Sequence, residues 1–97
     1  MPVPPPGPLS KDYHTRCTKL FKGLSSQVKL FPVAFESGEG CVLVDVDGNR
    51  YIDLTAAFGV ASVGHGNPRV VSAIRQQAGS LLHAMGDVHP NELKLKL

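Results

Sequence analysis

The sequence has no tryptophan, only two cysteines and no long apolar run. A membrane-spanning helix needs about 18 consecutive apolar residues, so no membrane span is predicted. The first ten residues, MPVPPPGPLS, lack the basic and apolar regions of a secretion signal. Cys17 and Cys41 are therefore expected to be reduced thiols in a cytoplasmic protein, and a disulfide between them is the less favoured alternative.

The sequence also lacks the signatures of several functional classes. The formal net charge is only +2, with scattered Lys and Arg, whereas nucleic-acid binding requires clustered basic residues. The HExxH, GxSxG and glycine-rich nucleotide-binding motifs are absent. His65, His83 and His89, with Asp87, have no recognised metal-ligand spacing. We expect these histidines to be solvated or to anchor loops, and predict no nucleic acid and no metal.

The N-terminal third contains a proline-rich stretch followed by a helical pattern. Residues 1–9 hold five prolines and predict a disordered tail, with an SH3-type ligand as the alternative. Ser10 is predicted to cap a helix that ends near Gly23. The apolar stripe of this helix consists of Tyr13, Cys17, Leu20, Phe21 and Leu24.

The middle of the chain predicts a β-hairpin. A short strand over residues 33–36 ends before Gly38, and a second strand covers residues 41–46. Asp47-Gly48 predicts a two-residue turn with positive φ at both positions. Residues 50–54 then return as a strand. Alternation places Val42, Val44 and Val46 on one face of the sheet, and Tyr51 is interpreted as a packing residue.

A connecting loop of small, mostly apolar residues, 55–66, follows the hairpin. Such a loop suits close approach of the backbone to a ligand or another chain, or a buried crossover in a larger domain. Asp53 is a candidate to anchor it. Asn67-Pro68 predicts the start of a helix, and Pro90-Asn91-Glu92 predicts another. Because the last pattern stops at residue 97, we expect a truncated sequence.

Two stretches, GEGCVLVDVDGNRYIDL and GVASVGHGNPRVVSAIRQQA, carry a family likeness. They resemble the N-terminal part of class III aminotransferases, from Gly38 to about Ala78. The resemblance implies an α+β fragment (N-terminal helix, β-hairpin, helix) of a fold type I, pyridoxal-phosphate-dependent α/β transferase, with residues 10–97 as its N-terminal segment. It implies a homodimer that transfers an amino group from an amino acid or ω-amine to a 2-oxo acid.

The resemblance also implies which residues face the substrate. Phe58 occupies a position where family members place a pocket aromatic, with Gly59 beside it. Val42 stands where a second aromatic is frequent. The catalytic lysine, the pyridinium partner and the phosphate cup of the family lie beyond residue 97. We therefore expect the isolated chain to be poorly folded and inactive, without bound pyridoxal 5'-phosphate. The alternative is a small non-catalytic binding or interaction module derived from such an enzyme.

Overall fold

The described residues form helices and a three-stranded sheet. The computed structural model describes residues 2–20, 31–85 and 88–97. Its elements in chain order are α1 (Pro8–Leu20), β1 (Phe35–Glu39), β2 (Val42–Asp45), β3 (Arg50–Ile52), α2 (Pro68–Ala78) and α3 (Glu92–Lys96). They fall into two compact units, Met1–Gly66 with α1 and the sheet, and Asn67–Leu97 with α2 and α3.

The sheet is an antiparallel meander in the order β1-β2-β3. The predicted pairing of β2 with β3 is confirmed, with Leu43 opposite Tyr51. The predicted end of the first strand before Gly38 is wrong, because Gly38 lies inside β1 and pairs with Leu43. This glycine serves close packing: a Cβ added to it would lie 2.9 Å from the Cβ of His65.

The turn between β2 and β3 is one residue longer than predicted. Asp45 N donates to Asn49 O at 3.0 Å, and Gly48 N donates to Asp45 O at 3.0 Å. Residues 46–48 therefore form the loop, and Gly48 alone among them has positive φ, at 85°. A three-residue loop that ends in a left-handed glycine is the next most common hairpin after the two-residue type.

The two faces of the sheet have different surroundings, as the alternation predicts. Phe31 and Phe35 approach the Tyr51 ring edge to face, with centroids 5.9 and 5.6 Å away. Such aromatic pairs add stability beyond their buried area, and the interpretation of Tyr51 as a packing residue is confirmed. On the opposite face, Val42 and Val44 line an open groove.

Helix α1 is attached to the hairpin through Asp47, which is distant from it in the sequence. The carboxylate of Asp47 accepts the amides of Leu9 at 2.8 Å and Ser10 at 2.9 Å. The prediction that Ser10 caps this helix is wrong: α1 begins at Pro8, and the buried Ser10 hydroxyl accepts Ala34 N at 3.2 Å.

The predicted disordered tail over residues 1–9 extends too far. Pro8 and Leu9 belong to α1, Gly7 is buried against Asp47, and Val3 N donates to Asn49 Oδ1 at 3.3 Å. The predicted end of the helix near Gly23, with Phe21 and Leu24, lies outside the described residues.

The second unit confirms two predicted helix starts. Asn67 Oδ1 accepts the amides of Arg69 at 3.0 Å and Val70 at 3.3 Å, with Pro68 at the first helical position of α2. Asn91 Oδ1 accepts Lys94 N at 2.9 Å at the start of α3. Asparagine caps a helix because its carbonyl satisfies amides that have no partner within the helix.

Candidate functional site

The segment of residues 53–66, which follows β3, exposes several large apolar side chains. Its large side chains are Leu54, Phe58, Val60 and Val63, with 90%, 97%, 88% and 65% of their surface exposed. Apolar side chains grouped in this way mark a binding or interaction surface. We refer to residues 54–64 as the apolar loop.

Asp53 stands at the start of the apolar loop and holds it through four hydrogen bonds. Its Oδ1 accepts Thr55 N at 2.9 Å, Thr55 Oγ1 at 3.0 Å and Ala56 N at 2.9 Å. Its Oδ2 lies 2.6 Å from His65 Nε2, at the other end of the loop. The prediction that Asp53 anchors the loop is confirmed, and His65 is a loop-anchoring histidine.

His65 is itself fixed to the sheet by its backbone. Gly40 N donates to His65 O at 2.9 Å, and His65 N donates to Gly40 O at 2.8 Å. Glycines allow this approach, because a Cβ at Gly64 would lie 3.2 Å from the Cα and carbonyl oxygen of Gly40. The small residues at this end of the loop therefore allow its backbone to contact the residues that connect β1 and β2.

The tip of the apolar loop is a left-handed turn. Ala56, Ala57 and Phe58 have φ of 49°, 51° and 58°, and Gly59 has φ of 91°. Left-handed backbone costs roughly 1–2 kcal/mol for each residue other than glycine. Ala61 N donates to Ala56 O at 2.9 Å, and the Ser62 hydroxyl donates to the Gly59 carbonyl. Strained turns of this kind persist where the surrounding structure fixes them, and they concentrate at functional sites.

The predicted substrate-facing residues occupy two places. Phe58 and Gly59 are neighbours at the tip of the apolar loop. Val42 lines an open groove of about 630 Å³ on the sheet, bounded by residues 37–42 with Val44 and Arg50. Neither Phe58 nor Gly59 lines this groove, so the structure does not join Val42 to the other two residues in one pocket.

A second carboxylate, Asp45, organises the hairpin. It is fully buried. Its Oδ1 accepts Asp47 N at 2.9 Å and Asn49 N at 2.8 Å, and its Oδ2 accepts Asn49 Nδ2 at 3.1 Å and Tyr51 Oη at 2.7 Å. Burial alone would raise the pKa of Asp45, but these donors stabilise the ionised form and hold its pKa below 3.8. A carboxylate beside a hairpin turn is expected to satisfy turn amides at an exposed position; Asp45 satisfies them, but it is buried instead of exposed.

The charge state of the Asp53 carboxylate follows from its contacts. The hydrogen bond from His65, followed by those from Thr55 and Ala56, lowers the pKa of Asp53 from 3.8 to about 2. A carboxylate whose pKa falls on folding stabilises the protein above its unfolded pKa. This stabilisation is lost as the pH falls through the folded value.

This shift predicts how acid affects the loop. The melting temperature of the full-length protein should exceed that of its Asp53→Ala variant by a margin that shrinks as the pH falls from about 5 to about 2. Thermal denaturation of both proteins over this range measures it, and contributions from the other carboxylates cancel in the difference. A difference that persists undiminished at pH 2 would contradict the assigned titration.

The described residues do not fit a pyridoxal phosphate site. The lysines in the described part of the chain, Lys11, Lys19, Lys94 and Lys96, are exposed on α1 and α3, and Lys96 pairs with Glu92. The first amides of α2 are taken by Asn67, which leaves that helix start capped instead of open to a phosphate. A cofactor site requires residues other than those described.

The described residues also form neither a metal-binding cluster nor a membrane-spanning helix. Across residues 2–20, 31–85 and 88–97, no group of three or more His, Cys, Asp or Glu side chains is arranged to hold a metal ion. Asp87 lies outside this part of the chain. No helix within the same ranges is both long and apolar enough to span a bilayer.

Comparison with known proteins identifies relatives of the chain. The family model for aminotransferase class-III matches residues 24–97. An alanine/serine racemase from Pyrococcus horikoshii is 39% identical over 84 residues, which covers 86% of this chain and 17% of the relative.

Two solved structures share the backbone arrangement. An omega-transaminase from Sphaerobacter thermophilus is 28% identical, with a TM-score of 0.73, and the match covers 94% of this chain and 21% of that one. A transaminase with PLP bound is 25% identical, with a TM-score of 0.76 and coverage of 91% and 21%. The chain thus spans about a fifth of the length of these proteins. The likeness confirms the predicted fold class, an α+β portion of the pyridoxal-phosphate-dependent transaminase fold, and the chain belongs to the class III aminotransferase family.

Proposed function

We propose that these residues are the N-terminal segment of a pyridoxal-phosphate-dependent aminotransferase, a cytoplasmic homodimer that moves an amino group from an amino acid or ω-amine to a 2-oxo acid. The family match over residues 24–97 carries this proposal. Pyridoxal phosphate supplies the electron sink for such chemistry. Since the described residues do not fit the cofactor, we place its lysine and phosphate site outside them.

The segment's own contribution is to the substrate side of the site. Phe58 is 97% exposed on a loop whose backbone is held in a strained turn. A strained loop that presents an aromatic ring to its surroundings suits a pocket wall completed by other parts of the protein. We assign substrate contact to Phe58 and Gly59, and a more distant lining role to Val42.

Truncating Phe58 should weaken substrate binding. In the full-length protein, Phe58→Ala is expected to raise the KM for the amino donor about tenfold, because an apolar contact of this size is worth roughly 1–3 kcal/mol in a pocket. Steady-state kinetics with the same donor and acceptor measure this. Val60→Ala is the matched control, since Val60 is an exposed apolar residue of the same loop without an assigned substrate contact. Equal KM changes in both variants would contradict the assignment.

The reaction type needs a direct test. The full-length protein, supplied with pyridoxal phosphate, is incubated with alanine, ornithine or 4-aminobutyrate and 2-oxoglutarate, and glutamate formation is measured. Amino transfer supports the proposal. The similarity to a racemase makes racemisation the second candidate, tested by D-enantiomer formation from L-alanine or L-serine alone. Racemisation without transfer, or no reaction at all, would overturn the proposal, and the latter result would favour the non-catalytic module.

A further inference from the structure

We propose that Asp53 and His65 are positioning residues that set the substrate preference of the site by fixing the conformation of the apolar loop. The inference rests on the proposed role of Phe58 as a pocket wall. Neither Asp53 nor His65 is assigned contact with the substrate. Their effect is transmitted through the backbone of residues 54–64.

The Asp53–His65 contact closes the loop at its base. Asp53 Oδ2 and His65 Nε2 are 2.6 Å apart, and 6% and 22% of the respective side chains are exposed. Water therefore competes poorly for this hydrogen bond. Because the backbone of His65 is paired with Gly40, the contact ties both ends of the loop to the sheet.

Asp53 also determines where the left-handed turn begins. Its Oδ1 accepts Ala56 N at 2.9 Å, and Ala56 is the first residue with positive φ. Without that acceptor, residues 56–58 can relax to the right-handed backbone that alanine and phenylalanine prefer. Relaxation at these residues would carry the Phe58 side chain away from its present position. Asp53 thus fixes the strained turn that presents Phe58.

A positioning role predicts a change in preference among substrates. In the full-length protein, Asp53→Ala should change the ratio of kcat/KM for ornithine to kcat/KM for alanine by about tenfold, since misplacing one pocket contact has effects on this scale. Amide hydrogen exchange in residues 54–64 should increase in the same variant. The amides of Ala61 and Gly64, which are hydrogen-bonded within the loop, report this change without any need for activity.

Asp45→Ala is the matched control. Asp45 and Asp53 each accept four hydrogen bonds in the same unit, but Asp45 serves the hairpin turn. Its replacement should lower the melting temperature and accelerate exchange in residues 42–52, while it leaves the ratio of kcat/KM unchanged and accelerates exchange in residues 54–64 less than Asp53→Ala does. The inference is overturned if both variants lower kcat/KM equally for every donor, or if loop exchange in Asp53→Ala equals that of the unmodified protein.

Two substitutions of His65 form a second pair of variants that tests the hydrogen bond to Asp53. Glutamine places an amide nitrogen near the position of histidine Nε2, so His65→Gln should retain the ratio and the slow loop exchange. His65→Leu removes the donor. It should change the ratio of kcat/KM and accelerate loop exchange, in the direction expected for Asp53→Ala. Equal behaviour of the Gln and Leu variants would overturn the role of the hydrogen bond. If the unmodified protein shows no amino transfer, the proposed function fails, while loop exchange still tests the Asp53–His65 contact.

Discussion

Replacing Asp45 with alanine is expected to destabilise the hairpin by about 3 kcal/mol, because the change leaves several donors without an acceptor. Each buried group that loses its partner costs roughly 1–3 kcal/mol. The side chains of Asn49 and Tyr51 both donate to this carboxylate, and Asn49 is fully buried. Water cannot readily replace an acceptor at such a position.

Amide exchange in residues 42–52 of the full-length protein measures this loss locally. About 3 kcal/mol corresponds to exchange roughly a hundredfold faster, since 1.4 kcal/mol is a factor of ten. Asp12→Ala is the control, because that carboxylate is exposed and lies 3.5 Å from Arg16 on the surface of α1, where ion pairs contribute little. If the two variants exchange at similar rates in the hairpin, the assignment of Asp45 as its organising residue is wrong.

Much of the fold could be predicted because its signals act over a few residues. Asn67-Pro68 carries its own cap and its own fixed φ, so the start of α2 does not depend on distant residues. The pairing of β2 with β3 follows from a short turn between alternating strands. Asp53 was recognisable as a loop anchor for the same reason, since two of its partners are Thr55 and Ala56.

The features that sequence reasoning missed depend on long-range contacts. The sequence predicts that Asp47 is a turn residue. Its carboxylate also holds the start of α1, since it accepts the amide of Leu9, 38 positions earlier in the chain. The sequence predicts that Gly38 ends a strand. It lies inside β1 instead, where His65 packs against it and leaves no room for a side chain. The burial of Asp45 had one local signal, the Asp and Asn residues that flank the turn and favour such side-chain contacts. Nothing local distinguishes an exposed turn of this kind from a buried one.

Replacing Gly38 with valine should have the second large effect on stability, because the position has no room for a larger side chain. Gly38 has ordinary backbone φ, so valine is compatible with the strand conformation itself. Its Cβ would lie 2.9 Å from both Cβ and Cγ of His65 and 3.0 Å from Leu43 Cδ2. His65 cannot move aside without breaking its bridge to Gly40 or its contact with Asp53. Overpacking of this kind costs roughly 1–3 kcal/mol.

Gly40→Ala separates crowding from backbone strain. Gly40 has φ of 58°, and a Cβ there would meet no atom within 4 Å, so its cost is the left-handed backbone alone, about 1–2 kcal/mol. Gly38→Val should lower the melting temperature at least as much as Gly40→Ala. It should also accelerate amide exchange in the apolar loop, because the displaced His65 releases Asp53. Faster exchange confined to β1, with residues 54–64 unaffected, would show that the close approach of Gly38 and His65 does not support the loop.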